Sequence, residues 1–386
     1  MTTQAYVLSA ARTPIGSFQG ALGVLPAPAL GARAVAAAIE RSGLAADAID
    51  EVILGNVISA GLKQAPARQA MRSAGLPDSC GATTVNKVCG SGMKATMLAT
   101  DLIRAGSARV VVSGGMESMS NAPYLLAKAR GGMRMGHGEI KDAMFLDGLE
   151  DAETGSAMGT FAQRTADDYQ LTREAMDAYA LASLDRALKA ASAGMLTDEI
   201  AALDINGTAV DADEQPQRAR PERIPTLRPA FKADGSITAA NSSSISDGAS
   251  ALVIAGADAL GGAEPLARIV GHATHSQHPS EFTIAPVGAI GRLLERLGWD
   301  VDSVDLFEIN EAFAMVTMLA IQELHLDPQR VNIYGGACAQ GHPIGSTGSR
   351  LIVTLAHAMR RLNCRRGIAA LCIGGGEATA IALERD

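Results

Sequence analysis

The chain has 386 residues, 47% of them hydrophobic and 19% charged, enough for two or three domains around a sizeable core. A net charge of −8 with no Lys/Arg runs excludes a nucleic-acid binder. No apolar run reaches the length of a membrane span, and five cysteines without a CxxC pair exclude a disulfide framework. Met1 leads within a few residues into an apolar strand at Tyr6-Val7-Leu8, so no targeting segment and a reduced, cytoplasmic setting are expected.

In chain order, a polar turn and apolar strand over 47–56 end in Asn56. A β-branched run over 83–88 then meets Cys89-Gly90-Ser91-Gly92 and a helix-forming run over 93–105. The strand over 109–113 closes on Gly114-Gly115. Much later the same order returns. A polar turn and strand over 300–310 end in Asn310, His342-Pro343-Ile344-Gly345 opens a helix to about 362, and a strand over 368–373 closes on Gly374-Gly375-Gly376. The second copy continues directly into a strand over 378–383, whereas its partner in the first copy, over 251–255, follows some 130 residues later. The chain therefore reads as a duplication with an insert. The expected fold class is α/β, with two similar α/β domains of mostly buried strands packed together. The expected boundaries are 1–119 plus 248–265, an inserted domain over 120–247, and 266–386. Within the insert a helix is expected over 173–193, and the Pro/Arg-rich segment 216–229 is expected to be an irregular loop.

Duplication lets equivalent turns converge on one cleft. Cys89 lies on a strand-to-helix turn, where unpaired N–H groups and the helix dipole are expected to favour thiolate. His342 occupies the matching turn, and an imidazole titrating near neutral pH would serve as base. Cys372 ends a second-copy strand and could move a proton to or from a carbon acid. Asn310 ends a strand where a helix begins, placed either to hold a water or merely to cap that helix. The N–H groups of Gly374 and Cys89 could hold an oxyanion. Cys80 and Cys364 read as inert packing. His272, His275 and His278 have metal-like spacing, but that period suits neither a helix face nor a strand, so no metal site is expected.

These motifs, with Ala10-Ala11-Arg12-Thr13-Pro14 near the start, Gly114-Gly115-Met116-Glu117-Ser118 and Asn310-Glu311-Ala312-Phe313-Ala314, together resemble the thiolase family over essentially the whole chain. The resemblance implies duplicated α/β domains in an α-β-α-β-α layering, with the insert as a loop domain that binds coenzyme A. It implies condensation of two acetyl-CoA into acetoacetyl-CoA and CoA, or the reverse thiolysis. Cys89 would carry the acyl group, His342 would assist its deprotonation, and Cys372 would remove the α-proton. His342 and a water on Asn310 would bind the enolate oxygen, and the N–H groups of Cys89 and Gly374 the tetrahedral oxygen. Leu149, Met158, Ala239, Ser243, Phe282 and Phe313 would line the pantetheine and acyl site, with Arg218 or Arg220 at a CoA phosphate. Acyl-CoA and CoA are the implied partners, no cofactor or metal is implied, and a homodimer or homotetramer is expected. The alternative is a degradative 3-ketoacyl-CoA thiolase of broader chain length. Ala157, Phe282, Cys338 and Glu377 depart from the family pattern, where histidine at Ala157, methionine at Phe282 and Met or Gln at Glu377 are frequent.

Overall fold

The computed structural model describes residues 3–386. Nine strands carry the architecture: β1 (Ala5–Arg12), β2 (Glu51–Gly55), β3 (Gly81–Val85), β4 (Val110–Ser118), β5 (Ser246–Gly256), β6 (Ala267–Ser276), β7 (Leu306–Ile309), β8 (Arg366–Ile373) and β9 (Glu377–Glu384). Eight helices pack on them: α1 (Ala27–Ser42), α2 (Pro66–Ser73), α3 (Ser91–Arg104), α4 (Met158–Asp168), α5 (Arg173–Ser192), α6 (Ala285–Leu297), α7 (Ala314–Glu323) and α8 (Ile344–Leu362). The strands run in the order β7-β8-β9-β6-β1-β5-β4-β2-β3, with the short strand Gly16–Ser17 beside β5.

The order exposes the duplication. Going outward from β1 the first half places β5, β4 and β2; going outward from β6 the second places β9, β8 and β7. In each half the outer pair is parallel and the inner pairs antiparallel. The halves join where β1 and β6 pair antiparallel, Ala5 opposite Ile269. The copy is imperfect at its rim, since β3 has only a single parallel bridge, Phe307 to Val331, as its counterpart.

Alternation along the strands builds the layers. Val111, Leu252, Leu371 and Ile381 turn inward to one core with Met93 and Met97 of α3 and Leu351 and Leu355 of α8. Their neighbours Val112, Ala251 and Val253 face outward to Leu30 and Val35 of α1, while Ile368, Ala370 and Ala380 face Ile290 and Leu293 of α6. The order is thus helix, sheet, helix pair, sheet, helix, as the resemblance implied. Helix α8 lies in the middle layer and is buried along nearly all its length. Each of its fully buried aliphatic side chains contributes about 1.5–3 kcal/mol.

Between β4 and β5 the chain leaves the sheet for residues 119–245, which contain α4, α5 and two short hairpins. The Arg12 side chain fastens this segment to the core through Glu199 at 2.6 Å and Asp213 at 2.7 Å, all three buried. The segment expected to be an irregular loop at 216–229 instead holds the end of a short helix, Glu214–Arg218, and a 3-10 turn, Pro221–Thr226. Pro221 stands in the first turn, where its missing N–H removes no intrahelical bond.

Candidate active site

The turn from β3 into α3 is held in a strained shape. Val88 has φ +47°, an unfavourable region for a β-branched residue. Side chains stabilise it: Asn86 Oδ1 accepts the Val88 N–H at 2.9 Å, and Ser91 Oγ accepts the Lys87 N–H at 2.8 Å while donating to the Val88 carbonyl at 2.7 Å. Cys89 follows immediately, so its orientation is fixed by backbone. Gly92 permits the approach of α8, because a Cβ there would lie 2.8 Å from the Ser349 backbone nitrogen.

His342 comes from the second half and is buried, its N–H donating to the Ser244 carbonyl at 3.1 Å. Its Nδ1 lies 2.6 Å from Thr347 Oγ1, whose hydroxyl donates to the Pro343 carbonyl at 3.0 Å. The hydroxyl therefore accepts from Nδ1–H, leaving Nε2 as the bare, basic nitrogen. Asn310 Nδ2 sits 3.5 Å from that Nε2, and its Oδ1 is buried with no hydrogen-bond partner among the described residues. Cys372 closes β8 and is buried, and Gly374 follows in a turn where Gly375 and Gly376 both take positive φ.

Burial sets the protonation states. It pushes the Cys89 thiol up to about 11, against the opposing pull of the Gly374 and Cys89 N–H groups. The thiolate expected from the helix N-terminus is therefore not the resting form. Helix α3 begins at Ser91, beyond the cysteine, and desolvation outweighs the donors. His342 is not a near-neutral titrant either. Burial, helped by the Arg350 charge, lowers it to about 3, so the resting imidazole is neutral. Cys372 is raised well above an ordinary thiol by burial and by the neighbouring Cys89.

One apolar cavity of about 280 Å³ gathers most of the residues singled out in the sequence. Cys89, His342, Cys372 and Gly374 line it together with Leu149, Met158, Ser243, Phe282 and Phe313. Asn310 stands behind His342. Ala239, Arg218 and Arg220 are elsewhere, in a second groove of about 340 Å³ with Arg223 and Cys338. Those three arginines are exposed and form no salt bridge among the described residues. The spaced histidines are not clustered as ligands: His272 meets Asp101, His275 meets Gln277 and His278 meets Ser280.

Several contributors escaped sequence reading. Thr347 stands five residues after His342, on the first turn of α8, and that spacing was the available signal. Phe145 and Phe231 also wall the cavity. Buried Glu311 accepts from Tyr179, Ser183, Asn332 and the Cys338 N–H, which immobilises the turn carrying Asn310. Buried Glu117 does the same across the halves, accepting from the N–H groups of Val57, Ile58 and Gly345. Both carboxylates stand within the motifs that carry the resemblance, but their burial and partners are set by the fold.

A cysteine with a neutral imidazole, a second thiol and two converging N–H donors in an apolar pocket suits acyl transfer followed by carbanion chemistry. Comparison with known proteins points the same way. Residues 5–258 match the pattern described as "Thiolase, N-terminal domain" and residues 263–385 that described as "Thiolase, C-terminal domain". The chain is 47% identical to an acetyl-CoA acetyltransferase of Pseudomonas aeruginosa, over 98% of this chain and 99% of that one. It is 44% identical to an acetyl-CoA acetyltransferase of Schizosaccharomyces pombe, over 100% of both. The crystal structure of Acat5 thiolase from Ascaris suum in complex with coenzyme A superposes with a TM-score of 0.95 at 43% identity, covering 99% of this chain and 100% of that one.

Proposed function

The chain belongs to the thiolase family, and we propose that it is an acetyl-CoA C-acetyltransferase, joining two acetyl-CoA into acetoacetyl-CoA and CoA through a Cys89 acyl-enzyme. The observation that carries this reading is the meeting of Cys89, Cys372, His342 and Gly374 in one apolar cavity.

In the first half-reaction the neutral His342 takes the Cys89 proton on Nε2, and the thiolate attacks the acetyl-CoA carbonyl. The N–H groups of Cys89 and Gly374 hold the tetrahedral oxygen. When the C–S bond to CoA breaks, the departing sulfur takes the Cys372 proton, leaving a Cys372 thiolate facing a His342 imidazolium. The charge coupling between the two thiols supports this order. A charged Cys89 holds the Cys372 proton in place, and acylation removes that charge. In the second half-reaction Cys372 removes the α-proton of a new acetyl-CoA, while His342 and a water on Asn310 hold the enolate oxygen. The carbanion attacks the acyl-enzyme, the Cys89–acyl bond breaks, and the released thiolate recovers its proton from His342. Only acyl groups and protons move, so CoA is substrate and product and the steps call on no further cofactor or metal.

Residues 120–247 are assigned to CoA binding, with 1–119 plus 248–265 and 266–386 as the two catalytic halves. Ser243, Leu149 and Met158 would contact pantetheine. Arg218, Arg220 and Ala239 in the second groove would contact the rest of CoA, where unpaired guanidinium groups suit a phosphate. A homodimer or homotetramer is supported by the exposed outer edge of β3 and by Tyr124, Met133, Met135 and Ile140, exposed apolar residues on one hairpin. A cytoplasmic setting fits the free cysteines, and a role in fatty-acid metabolism fits the acyl-CoA chemistry; no described helix is long and apolar enough to cross a membrane.

CoA-dependent thiolysis of acetoacetyl-CoA, compared with C8 and C16 3-ketoacyl-CoA, tests the assignment. Preference for the C4 substrate is expected. Equal or better turnover of C16 would replace it with the broad degradative activity.

A further inference from the structure

The two N–H donors for the tetrahedral oxygen come from opposite halves of the duplication. Among the described residues no backbone hydrogen bond joins 86–92 to 373–377. Such donors act only when both lie about 2.7–3.1 Å from the same developing oxyanion, so something must fix their separation. Apolar contact does part of this, with Val88 against Gly374 and Ile373 against Gly90. The Gly374 N–H also faces the Cys89 sulfur.

One ion pair spans the gap. Lys87 Nζ lies 2.5 Å from Glu377 Oε2, with the two side chains 21% and 32% exposed. Lys87 is two residues before Cys89 and Glu377 three after Gly374. Both ends are anchored. The Lys87 N–H is held by Ser91 Oγ at 2.8 Å, and Glu377 Oε1 accepts from Ser276 Oγ of β6 at 3.1 Å. Gln277, next along, donates its N–H to the Gly376 carbonyl at 2.8 Å. The pair therefore links a rigid elbow to a rigid glycine turn.

We propose that Lys87 and Glu377 are positioning residues that set the spacing of the Cys89 and Gly374 N–H donors, an inference that rests on the acyl-transfer reading above. The pair has a second consequence. Glu377 puts a carboxylate three residues from Gly374, whose N–H would meet the developing negative charge, and Lys87 compensates it. Removing the lysine should therefore be worse than removing the glutamate.

A double-mutant cycle on the full-length enzyme tests this. Glu377→Gln is expected to lower kcat for acetoacetyl-CoA thiolysis about fivefold, and Lys87→Met about twentyfold, both below the hundredfold or more of losing an oxyanion donor outright. The double variant should match Glu377→Gln alone, because the uncompensated carboxylate is gone. KM should change less than twofold, and the exchanged pair Lys87→Glu with Glu377→Lys should exceed Lys87→Glu alone. Losses that multiply in the double variant, or that appear only in KM or melting temperature, overturn the positioning role while leaving the acyl-transfer reading standing. Absence of thiolysis in the wild-type enzyme overturns both.

Discussion

The Nδ1 atom of His342 and the hydroxyl of Thr347 lie 2.6 Å apart, and this contact decides which imidazole nitrogen is basic. Because the hydroxyl also reaches the Pro343 carbonyl, it accepts from Nδ1–H and leaves Nε2 toward Asn310 and the cavity. Thr347→Val keeps the shape but removes the acceptor. The expected result is a kcat loss of about ten- to a hundredfold with KM little changed, as for other groups that orient a working histidine. Thr347→Ser should restore most of it. A Val variant with unchanged kcat would show that the tautomer is fixed by other means.

Alkylation of Cys89 should follow its raised proton affinity. With the thiol held near 11, the thiolate fraction at pH 7 is about one in ten thousand and rises about tenfold per pH unit. Iodoacetamide labelling of the Cys89 peptide, followed by mass spectrometry, should climb steadily to pH 10 without a plateau. His342, lowered to about 3, contributes no inflection between pH 5 and 8 in the free enzyme. A plateau near pH 7 would mean a thiolate at rest.

The halves leave no room for a side chain where β4 passes the start of α8. A Cβ on Gly115 would lie 2.0 Å from the Gly345 carbonyl oxygen and 2.9 Å from the Ser346 Cα, both backbone. Gly345 cannot retreat freely, since its N–H is bound to Glu117 at 3.0 Å. Gly115→Ala should therefore cost about 3 kcal/mol and lower the melting temperature by about 3–5 °C. Because Gly345 is three residues from His342, kcat should fall as well. Differential scanning fluorimetry with a thiolysis assay reads both.

Much of this was legible in the chain because repetition is a long-range signal carried in local order. Cys89 with its flanking glycines, His342 in the matching turn and Cys372 before three glycines could be aligned without coordinates, and the cavity unites them. What stayed hidden depended on burial and distance. The same helix-start placement that suggested a thiolate at Cys89 says nothing of how dry the sulfur is, and desolvation reversed the expectation. Thr347 left only its spacing from His342 as a signal, while Glu117 and Glu311 act through contacts across the fold and Lys87 meets Glu377 from the other half of the chain. A single sequence holds no trace of such pairings.

Division of labour between the two cysteines is the central claim, and trapping with radiolabelled acetyl-CoA tests it most directly. After denaturation and gel filtration, the wild-type and Cys372→Ala proteins should retain label, with Cys372→Ala unable to pass it on to a second acetyl-CoA. The Cys89→Ala protein should retain none. Label held by Cys89→Ala, or its absence from Cys372→Ala, would contradict the account.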